Sequence, residues 1–353
     1  MITSTMLIAM AATIIVGAAT ILYASVGEFF SIRAGVMNLG LEGIMLIGAV
    51  VGYYTGYKTG SMFLAVIAVM LVGAAIGAGY AFLTVTMKAN QVVSGLALVT
   101  FGTGMSGFIG KSVVSVASPY KITAVAIPLL SKIPVIGPIL FNQDPLIYIL
   151  YFLVPFATIY MMKTKPGMVL RALGENPGAL DSDGYNVTRL RYLYVMLGCI
   201  LTAVGGAYLT LVSTTFWNDE MTAGKGWIAS ALVIFSMWNP TIAIGGSLLF
   251  SGVNVLTNYI PMFLPNVPTY FLKMLPYACT IVVLILSTAV PLALLILCYR
   301  VNVWLGAAVE SVLCYYMLAA RCLRDESMKV HRAFLENDTE KARRAVSMIV
   351  GRD

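Results

Sequence analysis

The sequence contains a series of apolar stretches, each about as long as a helix that crosses a bilayer. Residues 5–25, 62–87 and 276–297 are clear examples, and such stretches are separated by short polar turns. A membrane-spanning helix needs roughly 20 mainly apolar residues, and because lipid offers no partners to the backbone, such stretches must fold as helices. We therefore predict an all-α, polytopic membrane protein with about nine transmembrane helices and a cytosolic helical tail.

The composition excludes an ordinary soluble domain. Hydrophobic residues make up 59% of the chain and charged residues only 10%, whereas soluble proteins carry about a quarter charged residues. The net charge of +7 is explained by basic loops next to anionic lipid, so we expect a lipid bilayer and no nucleic acid as partner. The first apolar stretch lacks a basic n-region and a convincing cleavage site, and we expect it to be retained.

Cysteine and histidine usage argues against metal or triad chemistry. The single histidine, His331, is too little for a His-based metal site or a Ser-His-Asp triad without a partner chain. The cysteines form no CxxC pair, and most lie in or beside apolar stretches where a thiol behaves as a small hydrophobe. We predict no catalytic residue, no metal and no disulfide among Cys199, Cys279, Cys298, Cys314 and Cys322.

Residues 163–191 form the longest charged interruption in the apolar part of the chain. Because membrane proteins keep excess lysine and arginine on the cytoplasmic side, this segment is predicted to face the cytosol. Pro166-Gly167 should break the preceding span, residues 168–173 should form a short amphipathic helix, and Asn176-Pro177-Gly178 should end it. A plain solvated loop is the alternative. The basic residues are Lys163, Lys165, Arg171, Arg189 and Arg191.

This segment closely resembles the coupling loop of permease subunits of ATP-binding-cassette importers, in the branch that carries sugars and nucleosides. The similarity runs over residues 167–177 and continues at Asp181 and residues 185–189. The resemblance implies a loop that docks into a cleft of the cytosolic ATPase, with Arg171, Glu175 and Asn176 as expected contacts. The coupling-loop residues are Gly167, Arg171, Ala172, Gly174, Glu175, Asn176, Pro177, Asp181 and Asn186.

Residues 27–43 carry polar and charged groups amid membrane sequence, in a pattern that resembles the start of nucleoside-type permeases. Because a carboxylate facing lipid is costly, Glu28 and Glu42 should face a cavity, pair with Arg33, or lie at the cytoplasmic interface. We expect a glycine-interrupted, discontinuous element beside the translocation pathway. The alternative is an interfacial turn in which Arg33 sets the orientation.

The same resemblance continues through residues 88–104 and again in an external loop at residues 213–227. Trp217 in that loop is the candidate for stacking on a nucleobase or a sugar face, although an aromatic-belt position is the alternative. Residues 111–144 contain four prolines and cannot be one helix. They suit an outer mouth where a receptor docks. The expected pathway residues are Glu28, Asn38, Glu42, Asn90, Gln91, Ser94 and Trp217.

Two nucleotide-binding patterns fail in context. Residues 102–107 satisfy GxGxxG but lie inside an apolar stretch without a preceding strand, and Gly110-Lys111-Ser112 lacks the phosphate-loop glycine because residue 105 is methionine. We therefore expect no ATPase motif and no cofactor bound by this chain. The resemblance places ATP and Mg on the partner ATPase.

The composition changes beyond about residue 288, where residues 291–353 hold 9 basic and 7 acidic side chains. Residues 299–306, 319–323 and 342–353 resemble an internal piece of adenosylcobinamide-phosphate synthase, a membrane enzyme of cobalamin assembly. We expect a permease domain at 1–288 and a truncated, synthase-like fragment at 289–353, joined by gene fusion. The fragment has one short apolar segment, predicted to lie in the interface or to turn around residues 300–304, and an amphipathic helical pair at residues 325–350.

The sequence thus predicts a membrane permease subunit of an ATP-driven importer, for purine or other nucleosides. The expected partners are a second permease subunit, a cytosolic ATPase and a substrate-binding lipoprotein, and the expected location is the plasma membrane of a prokaryote, as a multi-pass protein. One alternative is a cobalamin-pathway enzyme whose tail is the working part, although most of that enzyme is missing. The other is a chimera that inserts and assembles with nothing.

Overall fold

The computed structural model describes residues 4–114, 116–263, 268, 271–272 and 274–317. Of these residues, 79% are helical and almost none are in strands. The chain divides into two compact units, Met1–Leu275 and Pro276–Asp353. The longer helices of the first unit are α1 (Ser4–Arg33), α2 (Leu41–Thr59), α3 (Met62–Ala81), α4 (Gln91–Gly110), α6 (Pro145–Lys163), α9 (Val187–Tyr208) and α11 (Pro240–Phe263). Its shorter helices are α5 (Ile136–Leu140), α7 (Lys165–Glu175), α8 (Pro177–Ser182) and α10 (Lys225–Phe235).

Six helices in the described part of the chain are long and apolar enough to cross a membrane, and three apolar helices are shorter. This result confirms the predicted class, a polytopic all-α membrane protein. The six are Thr5–Arg33, Met62–Thr86, Gln91–Gly110, Pro145–Lys163, Val187–Ser213 and Pro240–Pro261, and the shorter three are Lys225–Phe235, Ala289–Val301 and Val303–Val312.

Helix α9 lies at the centre of the first unit and packs against α1, α2 and α3. Small residues let these helices approach closely, as expected where lipid gives little hydrophobic drive for helix association. A Cβ on Gly73 would lie 2.9 Å from the Ile200 backbone, and a Cβ on Gly77 would lie 2.7 Å from that of Met196. Gly73 and Gly77 therefore let α3 lie directly against the backbone of α9.

Both α3 and α9 end in a turn of π-helix, at Phe82–Thr86 and Leu209–Ser213 respectively. The described residues between α4 and α6, predicted to be external, form short pieces only, which confirms that this segment is not one helix. Strand β1 (Val125–Ala126) pairs antiparallel with β2 (Asn142–Gln143), and a 3-10 turn (Leu130–Lys132) and α5 lie between them. Asp144 then caps α6 by accepting hydrogen bonds from the backbone of Leu146 and Ile147.

Two predicted boundaries are wrong. Helix α1 continues unbroken to Arg33, so of the element predicted at residues 27–43 only residues 34–40 lie outside helices. Helix α7 begins at Lys165, three residues before the predicted start, with Pro166 in its first turn. Proline is tolerated there because the first N–H groups of a helix have no partner within the helix. The chain therefore breaks at Thr164 rather than at Pro166-Gly167.

The helices described in the second unit are α12 (Leu275–Val301), which begins at the last residue of the first unit, and α13 (Val303–Met317). Asn302 separates them, and its side-chain oxygen accepts a hydrogen bond of 2.9 Å from the Trp304 backbone. The Tyr299 hydroxyl donates to the Glu310 carboxylate across this break. The amphipathic pair predicted at residues 325–350 lies outside the described residues.

Candidate functional site

The predicted coupling loop is a pair of short helices, α7 and α8, whose ends are set by side-chain caps. Thr164 accepts a hydrogen bond of 3.1 Å from the Gly167 backbone and so begins α7. Asn176 does the same for α8, accepting from Ala179 at 3.1 Å, and Asn186 caps α9, accepting from Arg189 at 2.9 Å. Each cap satisfies an N–H group that would otherwise lack a partner. We call residues 164–186 the coupling segment.

One face of α7 is buried against the membrane helices. Gly167, Leu170 and Leu173 are buried on this face. Glycine is required at two points of contact: a Cβ on Gly167 would collide with the Tyr160 carbonyl, and one on Gly174 would lie 2.5 Å from the Arg33 carbonyl oxygen. The coupling segment therefore packs directly against the ends of α6 and α1.

Arg191 joins the coupling segment to both α1 and α9. Its Nε donates to the Ala34 carbonyl at 3.2 Å, and its Nη2 donates to the Leu173 carbonyl at 3.3 Å. The planar guanidinium makes these two bonds in a fixed geometry that lysine cannot reproduce. Gly35 adopts φ +80°, a conformation that favours glycine, where the chain turns beneath Gly174. A displacement of α7 must therefore move the end of α1 and the start of α9.

The opposite face of α7 is solvent-exposed. Met168 is 61% exposed, and Lys165 and Glu175 are exposed beside it. Gly174, at the contact with Arg33, is exposed as well. Arg171 and Ala172 are half-buried, and the Arg171 Nε has no hydrogen-bond partner in the described structure. In α8 and the following turn, Asp181 and Asn186 are exposed and Pro177 is half-buried.

Four of the seven predicted pathway residues lie in or next to the irregular residues 34–40. Glu28 on α1 is buried, and its Oε1 accepts a hydrogen bond of 2.9 Å from the Asn38 backbone. The Asn38 side chain turns back to accept from Gly40 at 2.9 Å. Gln91, at the start of α4, accepts from the Met37 backbone at 2.9 Å. These side chains satisfy backbone groups that no helix satisfies.

Glu42, the fourth of these residues, connects the start of α2 to the start of α10. Its Oε1 accepts from the Thr222 hydroxyl at 2.5 Å and from the Gly224 backbone at 2.8 Å, and its Oε2 accepts from the Gly226 backbone at 2.6 Å. These donors belong to the N-terminal end of α10, where the helix dipole favours a negative charge. We call this arrangement the Glu42 contact.

The Glu42 contact lies deep in the unit. Gly43 packs directly on Gly102 of α4, and at 1.5 Å per residue Gly102 is about 16 Å along that helix from its start at Gln91. Glu42 itself is only 8% exposed. A carboxylate at such depth is costly unless it is paired, and here hydrogen-bond donors surround it.

The other three predicted pathway residues lie apart from this group. Asn90 is exposed and caps α4 through Val92 and Val93, and Ser94 is half-buried one turn later. Trp217 is fully buried and packs on Gly110, Val113 and Tyr53. Stacking of its ring on a ligand would require a different arrangement of the loop, and this role stays a prediction.

Sequence reasoning missed the partners of the predicted residues. Arg191 counted only as one of several basic side chains, and Thr222, Gly224 and Gly226 counted only as part of a family motif. No signal in the sequence pairs Glu42 with a segment 180 positions further along the chain. Gly35 offered a weak signal, because a glycine next to the charged end of a helix often marks a turn.

Comparison with known proteins identifies the class of the chain. The family described as branched-chain amino acid transport system, permease component, matches residues 10–298, and the family described as CobD/Cbib protein matches residues 271–353. No solved structure matches the chain.

Three curated relatives are described as permeases of ATP-binding-cassette transporters. The nucleoside permease NupC of Lactococcus lactis is 36% identical over 78% of this chain and 90% of its own length. The guanosine permease NupQ of Bacillus subtilis is 33% identical over 76% of this chain and 89% of its own length. The putative glucose permease TsgC13 of Haloferax volcanii is 33% identical over 68% of this chain and 74% of its own length. The chain belongs to this permease family: it is an integral membrane subunit of an ATP-binding-cassette importer.

The C-terminal region is similar to cobalamin biosynthesis protein CobD. The protein from Halalkalibacterium halodurans is 41% identical over 71 residues, which is 22% of its length. The protein from Clostridium perfringens is 32% identical over 82 residues, 26% of its length. The chain therefore spans about a quarter of these relatives, and the predicted cobalamin-type fragment is confirmed.

Proposed function

We propose that the chain is a permease subunit that imports nucleosides, purine nucleosides among them, and that α7 and α8 dock the cytosolic ATPase. Two relatives that are matched over nearly their whole length are described as nucleoside and guanosine permeases. The relative described as a glucose permease covers less of this chain. This pattern favours nucleosides over free sugars.

The observation that carries the docking proposal is the position of α7. The helix exposes Met168 and Glu175 outward while Arg191 and Gly174 hold its inner side to the ends of α1 and α9. A rigid element with one free face and one anchored face can transmit motion from an ATPase to the membrane helices. The residues proposed to contact the ATPase are Arg171, Glu175 and Asn176.

The proposed assembly has two permease subunits, an ATPase dimer and a substrate-binding lipoprotein, in the plasma membrane of a prokaryote. ATP and Mg bind the ATPase, and this chain binds no cofactor. Glu28, Asn38, Glu42 and Gln91 support the wall of the pathway, with Asn90, Ser94 and Trp217 as further pathway residues. The second permease subunit is either a copy of this chain or a related chain. The subunit composition of the purified complex distinguishes the two.

Docking is tested with the double variant Arg171→Ala/Glu175→Ala. We expect less ATPase to co-purify with the permease and uptake of radiolabelled purine nucleosides to fall at least tenfold. The matched control is Lys163→Ala/Glu310→Ala, which removes one exposed basic and one exposed acidic side chain outside the coupling segment. Equal ATPase recovery and uptake in the two double variants would show that α7 is not the docking element.

We further propose that residues 1–288 form the permease domain and that residues 289–353 have no synthase activity, because a quarter of the synthase length cannot supply the whole enzyme. The test compares uptake by the full chain and by a chain ending at residue 290, each expressed with its partners. Equal uptake supports this division. Loss of uptake on truncation would assign the tail to the transporter, and corrinoid-joining activity of the full chain would contradict the proposal.

A further inference from the structure

A groove of about 730 Å³ opens along one face of α9, beginning at the end next to the coupling segment. Its lining residues on α9 recur every three to four positions, so they lie on one face of the helix. The π-helical turn that ends α3 contributes the remaining wall. The lining residues are Thr86, Thr188, Arg189, Tyr192, Leu193, Met196, Leu197 and Ile200.

The polar groups of the groove lie at one end only. Arg189 is exposed, and within the described residues its guanidinium has neither an ion pair nor a hydrogen bond. The hydroxyls of Thr86 and Tyr192 lie 2.6 Å apart beside it. Thr188 adds a further hydroxyl at this end. The other lining residues are aliphatic or thioether, and Leu193 is 56% exposed. The groove is therefore cationic and hydroxyl-bearing at one end and apolar along its length.

The length and orientation of the groove match one leaflet of a bilayer. At 1.5 Å per residue, the distance from Arg189 to Ile200 is about 16 Å, and half of a hydrocarbon core of about 30 Å is about 15 Å. The polar end is the end predicted to face the cytosol, where anionic headgroups attract basic side chains.

We propose that this groove binds an anionic phospholipid, with the phosphate on Arg189 and an acyl chain along Leu193, Met196 and Leu197. The headgroup lies level with the hydroxyls of Thr86 and Tyr192. A second copy of the chain fits less well, because it would cover the unpaired Arg189 with apolar helices. The site rests on the membrane class of the protein and is independent of the transported solute and of ATPase docking.

The first test uses native mass spectrometry of the delipidated full-length protein, which counts the bound lipids and the associated protein subunits in the same spectrum. Phosphatidylglycerol and phosphatidylcholine with identical acyl chains are titrated separately. We expect phosphatidylglycerol to bind preferentially and Arg189→Gln to lower its apparent affinity about fivefold, as for a loss of about 1 kcal/mol. The matched control Lys163→Gln removes an exposed charge at the same end but outside the groove, and it should leave binding unchanged.

A second test places a tryptophan in the groove through Leu193→Trp, and quenching of the wild type, which has four tryptophans of its own, is subtracted as the baseline. Phosphatidylglycerol with brominated acyl chains should quench this tryptophan at lower concentrations than brominated phosphatidylcholine. Equal lipid binding by wild type and Arg189→Gln, or equal quenching by the two lipids, would overturn the proposal. If Arg189→Gln changes the number of associated chains without changing the lipid count, a second copy covers this face and the proposal is wrong.

Discussion

The coupling segment and the Glu42 contact belong to the same unit but differ in exposure and in how far apart their residues lie in the sequence. The coupling segment is contiguous in sequence and presents exposed, charged side chains. The Glu42 contact is buried, uses one carboxylate, and joins residues 180 positions apart or more. A surface that receives a partner can be local, since solvent satisfies its free groups. A link between broken helices inside a membrane cannot be local, since only other parts of the chain can supply its donors.

The two regions also differ in the hydrogen bonds that hold a helix in place. Arg191 fixes α7 through main-chain carbonyl groups at a half-buried position. Glu42 fixes α10 through charge-assisted hydrogen bonds in a dry environment, where each bond is stronger and each unpaired donor is more costly. We therefore expect changes at Glu42 to affect folding, and changes on the outer face of α7 to affect assembly.

Glu42→Ala is expected to give the largest effect on stability. It leaves the Thr222 hydroxyl and the Gly224 and Gly226 backbone groups without their acceptor, which should cost about 3 kcal/mol. Thermal unfolding in detergent should show a clear drop in Tm. Thr222→Val, which removes one donor only, should cost about 1 kcal/mol. The matched control is Glu175→Ala, an exposed carboxylate, and equal Tm values for Glu42→Ala and Glu175→Ala would break the comparison.

Gly174→Ala is expected to give the next largest effect on stability. Its Cβ would lie 2.5 Å from the Arg33 carbonyl oxygen and 3.1 Å from the Gly35 nitrogen, so α7 must shift away from α1 at a cost of about 2 kcal/mol. We expect reduced nucleoside uptake with the ATPase still bound, measured by transport and by co-purification. Gly178→Ala is the control, because its nearest neighbour would be at 3.7 Å. Equal uptake in both variants would contradict the close contact.

Arg191→Lys keeps the charge but loses the guanidinium geometry that reaches the carbonyl groups of Ala34 and Leu173. We expect a loss of about 1 kcal/mol of stability, together with faster hydrogen exchange in α7. The control is Arg189→Lys, where the guanidinium has no partner among the described residues. If Arg189→Lys accelerates exchange in α7 as much, the two carbonyl contacts do not hold the helix.

Met168→Ala should have the smallest effect on stability and a selective effect on assembly. The side chain is 61% exposed, so the free energy of unfolding should change by less than about 0.5 kcal/mol and Tm should change little. Loss of an apolar contact with the ATPase should weaken co-purification about fivefold. Met87→Ala, at 62% exposure outside the coupling segment, should leave ATPase recovery unchanged. A large drop in Tm for Met168→Ala would show that this face is already covered within the permease.

Sequence reasoning was most successful where the signal is local. The apolar stretches predict the membrane class, and Asn176-Pro177 predicts the end of α7. It was wrong at residues 27–33, where a glycine-interrupted element was predicted and α1 continues, and at Pro166, which the first turn of α7 accommodates. The N-terminal caps at Asn90, Thr164 and Asn186 were also missed as caps, although each is a residue type that favours that position.

The amino-acid sequence by itself determined the membrane class, the helical content and the membership of the permease family, because hydrophobic length and consecutive motif residues carry that information. Only the tertiary structure decided that Glu42 caps a distant helix, that Arg191 joins α7 to α1 and α9, and that Trp217 is enclosed. Those contacts depend on which helices lie side by side at one depth, and helix packing in a membrane is set by small differences in shape rather than by the hydrophobic pattern.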